Sequence, residues 1–541
     1  MCGRDNHLLC SLQLRPHQPL SVFPGRLSHV AVQEGEGRIH PCLRQESSMQ
    51  LPASELPEPC AALKGVRIVQ VSCGSRHTLA RSAQGAVYSW GWGACGQLGH
   101  GDDHCLPWPR FIQAFWAGGN SGVTGKDGTG AVAPIEEYPP GATLHACSIS
   151  AGGIHSAAII EGGAVYTWGG SSYGQLGLGT SVMSKRVLAV PGRVMLPPEG
   201  ALGPEGDHSK EPLAPQGTPI SPRVTRARLL TRSSIRPQVE GSPTKPLVAS
   251  MVSCGGMHTA AVTPQGEVYC WGRADSGQLG IGYEWVHETA AHVMGVEWPS
   301  LVTGLLGGKR TVSVSCGGFH TAAVTKDGCM YTWGKEDFGM LGCSNAALLK
   351  GGLVYPHAVT IGKVRRRRDK CGKVFLGAEK AVSVACGGWH TAVVADDGRL
   401  WACGRGEYGR LGLGDDTCQW QLKPVPLQDG HQLVRYGSGQ LGTGSGDGDT
   451  LDAVADETVQ VCLGGSHTLV LTKAGKVYAY GRQGFGRLGT GGRVRTQDEA
   501  CLKPVEVTAL QRQGWKVESL SCGGVHSAAI LVRDNGKGEQ G

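Results

Sequence analysis

The chain is short of the features that announce most chemistries. Of 541 residues only 6% are aromatic and 18% charged. No apolar run reaches the length that spans a bilayer, and the N-terminus lacks a signal peptide's charged start and apolar core. Twenty cysteines contain no C-x-x-C pair, so structural zinc is not expected. No Gly-x-x-x-x-Gly-Lys-Ser/Thr occurs, and the many Gly-x-Gly steps read as punctuation of a repeat rather than phosphate cradles. Hydrolase and oxidoreductase readings find no support, and no cofactor or metal site is expected. The N-terminal 33 residues hold Arg4, Arg15 and Arg26 against Asp5 alone, which keeps organelle import open beside nucleus and cytoplasm.

What the chain has is repetition. A block of the form Cys-Gly-Gly-x-His-Thr-Ala-Ala-Val returns with its histidine at His77, His155, His258, His320, His390, His467 and His526. In six units a glycine follows eight residues later. Thirteen residues on stands Trp90, Trp168, Trp271, Trp333, Cys403 or Tyr480, and a Gly-x-Leu-Gly closes the unit. Within a unit two short β-favouring runs flank a Gly-ended turn, as in Thr259 to Val262, Gly266 and Val268 to Trp271, which is a hairpin signature. Two such runs cannot bury their faces alone, whereas a ring of units packs sheet on sheet. The expected fold is all-β, a seven-bladed β-propeller. The paired glycines are expected to crowd its centre, the tryptophans to plug the gaps between blades, and the Gly-x-Leu-Gly loops each to bury a leucine.

One histidine per blade at one register makes the seven structural by symmetry, with His320 and His390 expected to hydrogen-bond backbone. Cys73, Cys254, Cys316, Cys386 and Cys522 share one repeat position and read as small buried apolar residues, free thiols rather than disulfides.

These residues resemble the regulator of chromosome condensation family over about residues 60 to 533. Tyr88-Ser-Trp90-Gly-Trp92-Gly and Gly96-Gln-Leu-Gly99-His-Gly-Asp102 carry the likeness. WD-type repeats would need a repeated Gly-His and Trp-Asp pair that is missing. The repeat grammar also resembles plant ultraviolet-B-receptor-like members, whose Gly-Trp-Arg-His blocks supply the chromophore. Here the tryptophan places hold Ser75, Gly153, Gly256, Gly318, Gly388, Gly465 and Gly524, so that cluster is absent. The lone Trp389 is expected to pack.

The seventh block runs out at the C-terminus, so a closed ring needs strands from the N-terminus. A faint copy lies at Gly25 to Val32, with His29 and Gly37, followed by Met49-Gln50-Leu51. Residues 1–59 are therefore read as degenerate closing strands or as a disordered segment, 60–535 as the propeller, and 536–541 as a tail. Flexible insertions are expected at about 197–249, 345–378 and 419–457. The first holds Arg223, Arg226, Arg228, Arg232 and Arg236, a candidate regulatory loop with Ser-Pro steps open to phosphorylation. The second holds Arg365, Arg366, Arg367 and Arg368, read as a nuclear-import or phosphate-binding loop or as a solvated basic loop.

Three functions follow in order. The first is a non-enzymatic scaffold or regulator that binds proteins. The second, which the resemblance implies, is guanine-nucleotide exchange on a Ran-type or other small GTPase. The third is chromatin or nucleic-acid contact through the arginine loops. No membrane partner is expected.

Overall fold

The structure is a computed structural model and describes residues 6–12, 53–115, 144–179, 182, 185–197, 245–282, 295–343, 352–368, 374–427, 456–491, 499–511 and 515–533. Among the described residues thirty strands run in order. The first two are β1 (Asn6–Leu12) and β2 (Ala53–Pro59). Blade I has β3 (Ile68–Cys73), β4 (His77–Ser82), β5 (Val87–Gly91) and β6 (Leu106–Phe111), and blade II has β7 (Ala146–Ala151), β8 (His155–Ile160), β9 (Val165–Gly170) and β10 (Val187–Arg193). Blade III has β11 (Met251–Cys254), β12 (His258–Val262), β13 (Val268–Arg273) and β14 (Gly295–Leu301), and blade IV has β15 (Thr311–Cys316), β16 (His320–Thr325), β17 (Met330–Gly334) and β18 (Leu353–Val359). A ribbon of β19 (Ile361–Arg368) and β20 (Val374–Glu379) precedes blade V, which has β21 (Ala381–Cys386), β22 (His390–Ala395), β23 (Leu400–Gly404) and β24 (Gln419–Pro424). Blade VI has β25 (Thr458–Leu463), β26 (His467–Thr472), β27 (Val477–Arg482) and β28 (Ala500–Glu506), and β29 (Trp515–Cys522) and β30 (Ser527–Arg533) end the chain.

Six blades are thus antiparallel sheets of four consecutive strands, where the sequence anticipates seven such units. The last repeat has only β29 and β30 of its own, and its sheet has the order β2-β1-β30-β29, drawing strands from both chain ends. The faint copy at 25–51 lies outside the described residues. The strands that pair with the C-terminal hairpin are Asn6–Leu12 and Ala53–Pro59 instead.

Strand patterns explain the packing. Innermost strands alternate, as in β15, while the histidine strands β16, β22 and β26 are buried on every residue because a neighbouring sheet covers each face. The core is accordingly distributed between sheets. Leu79 and Ile112 of blade I cluster with Ile149 and Trp168 of blade II, and Ala260 and Leu279 of blade III with Val314 and Trp333 of blade IV. Trp168, Trp271 and Trp333 are wholly buried, and each loop leucine is 3% exposed or less (Leu98, Leu176, Leu279, Leu341, Leu411, Leu488). The hairpin turns place Gly266 and Gly328 at φ +93° and +83°, where a side chain is strained.

Two expected insertions begin too early. Leu353–Val359 and Gln419–Pro424 are the outer strands of blades IV and V, paired to β17 and β23. Arg365 to Arg368 lie on a strand, not a loop, opposite Gly377, Leu376, Phe375 and Val374. A run of arginines carries little strand signal of its own, and here the ladder to β20 supplies the structure. Arg223, Arg226, Arg228, Arg232 and Arg236 lie outside the described residues.

Candidate functional site: the inner ring and its end face

Six of the histidines open the second strand of their repeat and His526 immediately precedes β30, and all seven are buried, 4% exposed or less. His155 Nε2 meets Thr259 Oγ1 of the next blade at 2.8 Å, and His258 meets Thr321 at 2.9 Å, His320 meets Thr391 at 2.8 Å and His390 meets Thr468 at 3.1 Å. His467 meets Ser527, His526 meets Thr78 and His77 meets Ser156, which returns the series to its start. The partner of His320 and His390 is therefore a hydroxyl, and backbone enters one step later. Six of these hydroxyls donate onward to a carbonyl in the preceding blade's closing loop, Thr259 to Gln175 and Thr391 to Met340 among them. A hydroxyl that has given its proton can only accept, so the imidazole donates through Nε2–H.

That fixes the charge state. Nδ1 is left as an acceptor with no partner among the described residues in all seven rings, and protonating it would bury a donor with nothing to receive it. Burial lowers His77, His155, His258 and His320 to about 3, and a neighbouring histidine adds to this at His77, His258 and His320. His390 and His467 fall well below their usual value through burial, then through Arg410 and Arg487 respectively. Buried and linked in this way, the rings tie each blade to the next. Among the described residues no three His, Cys, Asp or Glu side chains gather as metal ligands would.

The glycines beside the ring are steric, as expected. A Cβ on Gly255 would lie 2.6 Å from Gly317 O and 2.6 Å from His258 Cε1. The second glycines link blades through backbone, Gly256 N–H to Gly317 O and onward round the centre to Gly524 N–H on Gly74 O. The described cysteines are free thiols, and burial pushes Cys73 and Cys316 up to about 12.

Chemistry that differs between blades lies on the face where the histidine turns and the closing loops emerge. Phe319 and Trp389, each just before its histidine, pack with their rings tilted at 40° and centroids 5.1 Å apart, and Phe338 meets Trp389 edge-on at 5.9 Å. Cations alternate with these rings. Arg273 lies 5.0 Å over Tyr173 and 5.5 Å over Phe319, Lys335 sits 5.6 Å over Trp389, Arg405 4.8 Å over Phe338, and Arg482 4.9 Å over Tyr408. Acids two residues on steady three of the cations: Arg273 with Asp275 at 2.6 Å, Lys335 with Asp337 at 2.7 Å, and Arg405 with Glu407. In blades IV, V and VI the closing loop holds Phe338, Tyr408 and Phe485 at φ +59°, +64° and +65°. Left-handed backbone costs a non-glycine residue roughly 1–2 kcal/mol. Phe338 and Phe485 nonetheless stay 36% and 42% exposed.

Sequence reasoning passed over this belt. It expected Trp389 to pack, and Trp389 does pack, but against two other face residues. The available signal was the place after each repeat's Trp-Gly or its equivalent, which reads Trp92, Gly170, Arg273, Lys335, Arg405 and Arg482. Buried structure constrains neither that place nor the one before each histidine.

Four-stranded sheets, stitched at their centre by neutral histidines and varied on one end face, define a repeat β-propeller. The chain belongs to the RCC1-like family: the RCC1-like domain matches residues 113–537, and RCC1 repeats match 68–97 and 84–117. It is 29% identical over 465 residues to the ultraviolet-B receptor UVR8 of Arabidopsis thaliana, covering 85% of this chain and 76% of that one. It is 26% identical to the mitochondrial RCC1 domain-containing protein RUG3 of the same plant, over 82% of this chain and 75% of that one. Among solved structures, human WBSCR16 superposes with TM-score 0.61 at 16% identity, covering 99% and 100% of the two chains. Prp20p of Saccharomyces cerevisiae, whose structure is described together with its binding to Gsp1p and histones, gives 0.59 at 17%, covering 98% and 92%. No helix among the described residues is long and apolar enough to cross a membrane.

Proposed function

We propose that this propeller is a non-enzymatic scaffold or regulator that captures a protein partner on the face carrying the aromatic and cationic belt, with the composite sheet of β29, β30, β1 and β2 serving as its seventh blade. The observation that carries the reading is the strained series Phe338, Tyr408 and Phe485 in three consecutive blades, of which Phe338 and Phe485 are exposed and Tyr408 half-buried. Strain kept at exposed aromatic positions is of no use to the ring, and aromatic and arginine side chains anchor protein interfaces. The test is affinity capture from cell extract with the intact chain and with a Phe338→Ser, Trp389→Ser, Phe485→Ser triple variant. A protein retained by the first and lost by the second, at unchanged melting temperature, supports the reading. Identical capture by both removes it.

Family membership supports a second reading, nucleotide exchange on a small GTPase. Such catalysis needs no acid or base, because a surface that prefers the nucleotide-free GTPase weakens nucleotide binding by linkage. Release of fluorescent GDP from a Ran-type GTPase, accelerated by the chain and not by the triple variant, would place the exchange partner on this face. The basic strand β19 motivates a third reading, nucleic-acid contact in the nucleus. Steep loss of binding with salt would be its mark.

A further inference from the structure

The chain carries its own template for how the third strand of a blade should end, and β1 does not meet it. In blades II, III and IV the tryptophan of that strand stacks on the last glycine of the preceding closing loop. A Cβ on Gly99, Gly177 or Gly280 would lie 2.9, 2.7 or 2.8 Å from the indole nitrogen of Trp168, Trp271 or Trp333. Tyr480 fills the same place against Gly412. Two of these indoles also donate to the loop carbonyl, Trp168 to Gln97 at 2.9 Å and Trp271 to Gln175 at 3.0 Å. After the tryptophan comes a glycine at φ +106° in blade III and +114° in blade IV. A Cβ on Gly272 would sit 2.7 Å from Met257 O and from His258 Cα.

In the composite sheet β1 runs against β30 with Leu8 opposite Ile530, Leu9 opposite Ala529 and Cys10 opposite Ala528. Continuing that register sets Ser11 at the tryptophan place and Leu12 at the glycine place. Against the preceding loop Pro57 of β2 packs over Gly489, where a Cβ would lie 3.1 Å from its Cγ. This ring is smaller than an indole, and beside it remains a cavity of about 30 Å³, lined by Pro57, Arg487, Leu488, Gly489, Ser527 and Ala528 among others. The Arg487 carbonyl already takes the Ser527 hydroxyl at 2.8 Å, as Gln175 takes Thr259, and an indole N–H would complete the pair.

We propose that the place of β1 is a docking site for an extended peptide strand of a partner protein. That strand carries an aromatic residue followed by glycine where β1 has Ser11 and Leu12. The inference rests on the reading of the composite sheet as a seventh blade. Main-chain pairing with β30 supplies affinity and the plug supplies specificity, the division of labour in β-strand addition. The occupant's pattern is the one this chain writes in its own blades, Val165-Tyr-Thr-Trp168-Gly169 being one copy.

The probe is a labelled peptide with the sequence of residues 163–171, titrated into the full chain and followed by fluorescence anisotropy. Saturable binding is expected, weakened about tenfold or more when the peptide's tryptophan is alanine. A Ser11→Trp chain, with its own plug, should bind the probe at least tenfold more weakly than the natural chain. A Leu8→Pro chain, which weakens β1 by breaking its ladder, should melt lower and bind the probe more tightly. An unchanged melting temperature for Leu8→Pro overturns the seventh-blade reading. A lowered one, with no peptide binding or with binding indifferent to the tryptophan, overturns the docking site alone.

Discussion

Mild acid should unfold this protein, and the histidine ring sets the size of the effect. An unfolded imidazole titrates near 6.5. In the ring His77, His155, His258 and His320 are held to about 3 by burial. The unfolded chain therefore binds more protons than the folded one at every pH between these values. The stability is whole above pH 6.5 and is lost as pH falls toward 3. Between pH 7 and pH 5 each ring costs about 2 kcal/mol, because its unfolded form becomes almost fully charged while its folded form stays neutral. Any folded value well below 5 gives the same result. Four rings cost about 8 kcal/mol, comparable with the whole stability of an ordinary domain. Half-buried His100, held to about 4 by burial and by Arg110, pulls in the same direction.

Urea unfolding followed by tryptophan fluorescence at half-unit steps from pH 7.5 to 5 tests this. The window belongs to histidine, since exposed carboxylates titrate below it. Glu336 works the other way, because burial raises it to about 7 and acid relieves its charge. The expected outcome is a stability that falls steeply below pH 6.5, with loss of the folded state near pH 5. A stability constant to within about 1 kcal/mol across the window, or a ring imidazole titrating at its ordinary value in the folded protein, would refute the neutral-ring argument.

Thr259→Val keeps the shape but leaves His155 Nε2–H with no acceptor and removes one donor from Gln175 C=O, a loss of about 2–3 kcal/mol of unfolding free energy read from urea titration. Thr259→Ser should cost less than about 1 kcal/mol, since Ser156 and Ser527 already serve in two other blades, and equal losses for the two variants would contradict the relay. Trp168→Ala empties the gap between blades I and II and should cost about 3–5 kcal/mol, read as a drop in melting temperature. Glu336→Gln removes a partly solvated carboxylate whose Oε1 has no partner among the described residues. It should stabilise by about 1 kcal/mol at pH 8 and by nothing measurable at pH 5, and the reverse order would show the raised pKa to be wrong.

The repeat made the ring legible because each of its parts recurs: histidine, paired glycines, plug and loop leucine all sit in the structure where their spacing puts them. What spacing cannot supply is the partner across a blade gap. His155 and Thr259 are 104 residues apart, though His-Thr adjacency within each unit held the clue that one blade's hydroxyl serves the previous blade's ring. The strands that join the C-terminal hairpin were sought at 25–51, where a residue pattern resembled the repeat. They lie at Asn6–Leu12 and Ala53–Pro59, with almost none of that pattern, because β30 offers backbone groups and asks little of the side chains that pair with them. The same holds for β19, whose four arginines became a strand through the ladder to β20.

The positions that repeat and those that vary divide the labour. Substituting a repeated residue strikes the ring itself, since each histidine, hydroxyl and glycine serves two blades at once, and such places cannot diversify without loosening the sheet next door. The residue before each histidine escapes that constraint and reads Arg76, Ile154, Met257, Phe319, Trp389, Ser466 and Val525, seven different side chains at one geometric station. The residue after the third strand's glycine does the same. Both stations open on one face; the second carries a cation in each of blades III to VI, the first an aromatic ring in blades IV and V, and closing-loop aromatics complete the pairs. A binding surface assembled from the freest positions of an otherwise rigid repeat can change its partner without changing its fold. Its specificity is therefore to be sought in Phe319, Lys335, Phe338, Trp389 and Arg405 rather than in any histidine of the ring.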